Sequence, residues 1–331
     1  MTLNILKIIA VIIVFISFGL FIRATDMQQV VMSVRLIGYN FIFLIFITFF
    51  AYWFATIGWK YCLGRQAGDL SVMHLFIIRH IGEMVSLVNP ASVVGGESAK
   101  VYLLKNRGLA KSNIIASVLI SRVMMAFTQL LLFLLAVTFV FFIDQDFFQR
   151  LPQVFLVFCA VFIISTIVII LFGRSHFVKE MIQKSAFHSK LLHFASRLNL
   201  KQVLQEFRLF FKTNKKGLAF CTLFFLLHWV IGSLEIYFIL KFLGINTGVV
   251  QVLFVDMGII LFKSAGAFIP GQIGVEELGN KVMLDLIGIP DVNVWMTVSV
   301  LRRSRQLFWM VCGGIFYLIY HSKRKEPSRH F

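Results

Sequence analysis

Charge is scarce in this chain: 14% of its 331 residues are charged, against 59% that are hydrophobic. Soluble domains carry roughly a quarter charged residues, so this balance, with a mean hydropathy of +0.87, excludes an ordinary water-soluble fold. Cysteine is sparse too. Cys62, Cys159, Cys221 and Cys312 show no C-x-x-C spacing, which argues against a zinc site and a disulfide framework and leaves them as small apolar side chains. No ATP-binding motif is present, so any driven step draws on an ion gradient, the membrane potential or a lipid gradient. The serines and histidines form no recognisable Ser/His/Asp arrangement. His80 and Glu83 share a helical face at i, i+3, but a single such pair falls short of a metal ligand set. Neither cofactor nor metal is expected. No stretch outside the apolar runs could bury a separate catalytic core, so any chemistry belongs in or at a bilayer.

What the chain has is apolar length. A spanning helix needs about 20 mostly apolar residues. Six runs qualify: Leu3 to Ile22, Leu36 to Ile57, Ile114 to Ile143, Leu151 to Gly173, Gly217 to Leu243 and Val294 to Tyr320. The first reads as a helix and not a signal peptide, because Lys7 is its only early positive charge and no A-x-A-like site follows Ile22.

The net charge of +17 follows topology instead of forming a basic groove interleaved with aromatics, so nucleic acid is not the expected partner. Between the fourth and fifth runs, Arg174, Lys179, Lys184, Lys190, Arg197, Lys201, Arg208, Lys212, Lys215 and Lys216 face only Glu180 and Glu206. The C-terminal tail and the link between the second and third runs are also basic, while Asp144 to Arg150 leans acidic. Six spans with both termini cytoplasmic, in the cytoplasmic membrane, satisfy these loops together. The connector of about 174–216 spaces Phe177, Met181, Phe187, Leu191, Leu198 and Phe207 through cationic sequence, as an amphipathic helix lying on an anionic leaflet does.

Two segments are apolar enough to enter a bilayer and too broken to cross it. The first runs from His74 through Glu83 to Asn89-Pro90, then Gly95-Gly96-Glu97 to Lys100; the second runs from Val252 to Phe268, then Pro270-Gly271-Gln272-Ile273-Gly274 and Glu276-Glu277. Proline removes a helix donor, glycine relaxes the backbone, and a new helix is expected to begin at Glu97 and at Glu277. A shift of 180 residues lays Pro90 on Pro270, Glu97 on Glu277 and Arg122 on Arg302. Three spans separate the two segments, and an odd number makes the copies point in opposite directions. The chain thus reads as an all-α polytopic membrane protein, one integral membrane domain over 1–331, with six transmembrane helices and two re-entrant helical hairpins in an inverted repeat. Its halves are about 1–143 and 151–322. Such repeats place substrate at their interface.

Arg122, Arg302, Arg303 and Arg305 fall roughly 12 to 17 Å into their spans by helical rise. At such depth arginine faces the interior and finds acids, and Glu83, Glu97, Glu235, Asp256, Glu276 and Glu277 are available. Glu97, Lys100, Arg122, Glu235, Glu276, Glu277, Arg302, Arg303 and Arg305 are therefore the candidate lining of a translocation site, with hairpin breaks at Pro90, Gly95, Gly96, Pro270, Gly271 and Gly274. The same residues could instead only fix helix register, and Glu97 and Glu277 could simply cap their own helices.

At Pro90-x4-Gly-Gly-Glu97-x2-Lys100-x-Tyr102-Leu103-Leu104, Arg122, Pro270-Gly-x2-Gly274-x-Glu276 and Leu301-Arg302-Arg303, the chain resembles the flippase-like family related to the membrane part of lysylphosphatidylglycerol synthase. The resemblance implies re-entrant helices and a role in moving phospholipids or other polar lipids, including anionic and polyprenyl-type lipids. Membrane lipids are the implied partners, together with a lipid-biosynthetic enzyme. Gln272 stands where such proteins more usually carry a second glycine after Pro-Gly. With eleven residues after Tyr320 and no large soluble domain, a transporter is expected and synthase activity is not. The alternatives are an intramembrane transferase acting on a lipid carrier, with Glu97 or Glu277 as base, and an accessory subunit of a lipid-modifying enzyme.

Overall fold

The structure, a computed structural model, describes residues 37–68, 70–88, 92–105, 109–143, 200–266 and 274–325, with residues 32, 35 and 272. The expected spans Leu3 to Ile22 and Leu151 to Gly173, most of the basic connector, and the break residues Pro90, Pro270 and Gly271 lie outside the described residues.

Among the described residues every regular element is helical. They are α1 (Asn40–Leu63), α2 (Val72–Val88), α3 (Ser92–Lys105), α4 (Lys111–Ile143), α5 (Leu200–Thr213), α6 (Lys215–Phe242), α7 (Val249–Ala265), α8 (Val275–Leu286) and α9 (Val292–Lys325). Helices α1, α4 and α6, with 24, 33 and 28 residues, are long and apolar enough to cross a membrane. Their ends have local causes. Gly64 follows α1 at φ +63°, a left-handed conformation that glycine adopts without strain. Asn214 starts α6 by accepting the Gly217 N–H at 3.0 Å, satisfying one of the orphan donors of the first turn.

Helices α1 and α6 pack antiparallel. The Ala51 carbonyl lies 2.9 Å from His228 Nδ1, Gly58 faces Phe225, and Tyr61 stacks on Phe220 at 5.0 Å. Gly58 is needed there, because a Cβ would come within 2.8 Å of the Phe225 ring. In a bilayer, lipid tails are as apolar as leucine, so such close packing, and not water exclusion, holds helices together. Conversely, Phe127, Leu134 and Phe142 on α4 point outward, as suits a surface that meets lipid.

The two interrupted segments each form an antiparallel helical hairpin. In α2–α3, Gly82 lies against Lys100 and Ser86 against Gly96; in α7–α8, Gly258 lies against Met283 and Gly266 against Val275. Helix α9 touches both hairpins: Gly313 packs on the His80 carbonyl and Met84 of α2, while Ser299 accepts a hydrogen bond from Asn280 of α8 at 2.8 Å. One apolar core, including Phe254, Ile259, Leu284 and Val298, surrounds the second hairpin. Another, including Leu75, Ile78, Leu104 and Phe225, surrounds the first.

The start of α3 departs from the sequence reading. The helix begins at Ser92 and runs through Gly95 and Gly96, so Glu97 does not open it. Glycine here serves closeness: a Cβ on Gly96 would stand 1.9 Å from Ser86 Oγ and 2.4 Å from the Gly82 carbonyl oxygen. In the second hairpin Gly274, at φ +82°, precedes α8, which begins at Val275 and so two residues before Glu277.

Candidate functional site

The charged residues assemble into two groups, one on each hairpin. On the first, Lys100 Nζ lies 3.4 Å from Glu83 and 3.0 Å from Glu97. Arg122 of α4 also engages Glu97, its Nε donating at 2.6 Å. On the second, Arg302 reaches Asp256 of α7 at 2.9 Å and Glu276 of α8 at 3.3 Å. Lys263 shares Glu276 at 3.1 Å, and Gln306 donates to the same carboxylate at 2.8 Å. Arg303 pairs with Glu277. Arg305 donates to Glu235 of α6 and to the Tyr52 hydroxyl of α1, both at 2.5 Å. Arg302, Arg303, Arg305, Glu235 and Glu276 are all buried, and charged groups shielded to this degree are tolerated only when paired.

Set against the 180-residue shift, the ion pairs do not fall residue on residue. A glutamate on the second helix of each hairpin meets an arginine on the long helix that follows, Glu97 with Arg122 and Glu277 with Arg303. The shift lays Arg122 on Arg302, yet Arg302 takes Asp256 and Glu276 instead. Glu277 also accepts the Gly274 N–H at 2.8 Å, so it caps the start of α8 and occupies the dipole end that an outside anion would use.

Between the hairpins lies a cavity of about 280 Å³, with walls from α1 (Tyr52), α2 (Arg79, His80, Glu83), α4 (Arg122), the second hairpin (Lys263, Gln272) and α9 (Arg305, Trp309). Of the expected lining residues, Arg122 and Arg305 face it. Glu97, Lys100 and Arg122 border a tight adjoining space of about 10 Å³. Glu235, Glu276, Glu277, Arg302 and Arg303 stand outside both linings and hold the neighbouring helices through the ion pairs above. A separate cavity of about 400 Å³ lies under α5, bordered by Cys62, Asn113, Ser117, Glu206 and Asn214, and contains none of the expected residues.

The residue that sequence reading passed over is Arg79. It is 7% exposed and borders both spaces. Its Nη1 donates to the Tyr52 carbonyl at 3.4 Å, and its guanidinium lies 5.0 Å from the centre of the Tyr52 ring. A signal was available, since an arginine in the apolar run Leu75-Phe-Ile-Ile-Arg-His-Ile is as costly there as Arg122 is in α4. Lys263, at the end of α7, was missed for the same reason.

Neither the curated proteins nor the solved structures compared with this chain provide a match. The model of one family, the lysylphosphatidylglycerol synthase TM region, matches residues 5–314. That range holds α1 to α8, most of α9 and every charged residue of both hairpins. A long apolar helix frame, two packed hairpins and their arginine–glutamate pairs therefore lie inside one continuous match. The chain belongs to the lysylphosphatidylglycerol synthase transmembrane-region family.

Proposed function

We propose that the protein moves a polar lipid across the cytoplasmic membrane, its headgroup passing between the two hairpins while the acyl chains stay in the bilayer. On this reading the chain spans the membrane six times with both termini cytoplasmic. The hairpins α2–α3 and α7–α8 are re-entrant and belong to inverted halves. The observation that carries it is the cavity between the hairpins, to which α1, α4 and α9 also contribute walls. In hydrocarbon, backbone that leaves a helix needs protein or a wet cavity around it, because each unsatisfied group costs several kcal/mol. A polar chamber at the hairpins meets that need and offers a headgroup the same shelter. Arg79, Arg122, Lys263 and Arg305 against Glu83 give its walls a cationic balance that favours anionic groups. The ion pairs behind the walls supply rigid halves able to move against each other, as alternating access requires.

The test uses proteoliposomes with a headgroup-labelled anionic lipid and a quencher on one side. Translocation should bring label into or out of quencher reach faster than in empty vesicles, and Arg122→Gln should slow it. Rates equal to empty vesicles would sink the proposal. A second reading, an intramembrane transferase, finds one carboxylate among the described residues of the cavity wall, Glu83. Glu97 and Glu277 are both engaged by arginine. It predicts changed lipid products in Glu83→Gln.

A further inference from the structure

We infer that the cavity under α5 binds a small soluble amine, its ammonium group held by Glu206 with the Asn113 amide oxygen as a second acceptor. The site shares no residue with the cavity between the hairpins and stands whether or not the chain moves lipid.

The cavity forms where α1 ends and α4 and α6 begin. Helix α5 borders it, fastened to the bundle by the buried Val203 and Phe210, and contributes Glu206 to the lining. The volume of about 400 Å³ falls within the roughly 300 to 1,000 Å³ of small-molecule sites. Among the described residues this lining has one carboxylate, Glu206, and no basic side chain, in a chain whose net charge is +17. Glu206 is half-buried and takes part in no hydrogen bond or ion pair among the described residues.

Acceptors dominate the rest of the wall. Asn113 Oδ1 is buried without a hydrogen-bond partner, a state that native structures rarely leave unfilled. Ser117 donates its hydroxyl proton to the Ile114 carbonyl at 2.8 Å, and Thr213 donates its own to the Leu209 carbonyl at 2.7 Å, so what both hydroxyls still offer is lone pairs. Side-chain donors are limited to the Asn113 and Asn214 amides and the Cys62 thiol. The starts of α4 and α6 would by themselves favour an anion. However, the backbone N–H groups of Asn113 and Asn214 already donate to the carbonyls of Ala110 and Phe210, each at 3.0 Å.

One negative charge among several acceptors selects a cation that carries N–H groups. A primary ammonium has three donors and no acceptor, so it can meet Glu206 and still reach the neutral oxygens. Leu63, Ile120 and Leu209 give its carbon body an apolar surface. The ammonium of a phospholipid headgroup brings a phosphate with it, for which this lining holds no base, and the charge pattern therefore favours a free amine.

The experiment uses the full chain in neutral-detergent micelles, with ligand-observed NMR titrations of butylammonium, 1-butanol, tetramethylammonium, butyrate and a short-chain phosphatidylethanolamine, and empty micelles as background. Butylammonium should bind at least tenfold more tightly than each of the others. Glu206→Gln should weaken it about tenfold, the loss of one charged hydrogen bond, and should leave the ligand-free melting temperature unchanged, because Glu206 has no partner to lose. Glu206→Asp should retain most of the binding, and Asn113→Ala should weaken it severalfold. Equal binding by wild type and Glu206→Gln would overturn the inference. So would butanol binding as tightly as butylammonium, which would make the cavity merely apolar, or tighter butyrate binding, which would make it a helix-end anion site. Phosphatidylethanolamine binding as tightly as butylammonium would refute the soluble source. None of these outcomes bears on translocation, which the quencher assay reads separately.

Discussion

Gly96→Ala tests whether the first hairpin is held by contact so close that one methyl group opens it. The added Cβ would stand 1.9 Å from Ser86 Oγ, 3.1 Å from Ser86 Cβ and 2.4 Å from the Gly82 carbonyl oxygen. Carbon does not approach nonbonded atoms within 3.0 Å, so α2 and α3 must part by several tenths of an ångström or more. Overpacking of this kind costs about 1 to 3 kcal/mol. The upper part of that range applies because one obstacle is backbone, while alanine's better helix propensity returns up to about 1 kcal/mol. A net loss of about 1 to 2 kcal/mol follows. Adding Ser86→Gly removes the hydroxyl and its Cβ but leaves the Gly82 carbonyl in place, so rescue should be partial. Gly258→Ala is the control: its Cβ would meet Met283 Cε at 2.2 Å, the free end of a flexible side chain, and the loss should stay below about 1 kcal/mol. Unfolding free energies from denaturant titration in mixed micelles supply the measurement. Equal losses for Gly96→Ala and Gly258→Ala, or full rescue by Ser86→Gly, would refute the backbone-contact reasoning. Because Lys100 lies directly against Gly82, Gly96→Ala should also slow translocation by disturbing the Lys100–Glu83 contact at 3.4 Å.

Three further outcomes follow from single contacts. Glu235→Gln leaves Arg305 buried with one fewer counter-charge and should cost about 3 to 5 kcal/mol, while the double change Glu235→Met with Arg305→Met should recover most of it, read in the same titration. Asn214→Ala removes the acceptor for the Gly217 N–H and should cost about 1 kcal/mol. Gln272→Gly relieves a left-handed residue at φ +53° and gives up the side-chain bond to the Lys263 carbonyl at 3.3 Å. With roughly 1 to 2 kcal/mol of strain removed against about 1 kcal/mol for the bond, stability should rise slightly or hold.

The helix frame was legible because it depends on one property, sustained apolar length. The runs Leu36 to Ile57, Ile114 to Ile143 and Gly217 to Leu243 correspond to α1, α4 and α6, with ends shifted by a few residues. The last run also forms one long helix, α9, although its three arginines lower its hydropathy below that of a plain span. Glycine carried a double meaning. At Gly274 it permits a left-handed turn, and at Gly96 it permits two helices to touch inside a continuous helix. Sequence spacing is the same in either case, so only the neighbour across the hairpin decides. Gln272 is held in the left-handed conformation that glycine adopts without strain, a cost its spacing from Pro270 does not reveal.

Pairing was the least legible feature, and the reason is geometric. Successive residues on a helix point about 100° apart, so Glu276 and Glu277 cannot serve one arginine, nor can Arg302 and Arg303 serve one acid. Two adjacent acids facing two adjacent arginines therefore demand two separate contacts, and the structure supplies them as Glu276 with Arg302 and Glu277 with Arg303. The first hairpin has a single acid at the matching place, Glu97, and a single arginine, Arg122. Its remaining base, Lys100, draws on Glu83, the residue one turn along α2 from Arg79. Glu83 would be the natural i, i+4 partner of Arg79, and the sequence alone favours that pair. Folded against Gly82, Lys100 reaches Glu83 at 3.4 Å and Glu97 at 3.0 Å, so a tertiary contact competes with the local one. Arg79 lines the same cavity wall as Glu83 and makes its direct contacts with Tyr52 of α1 instead.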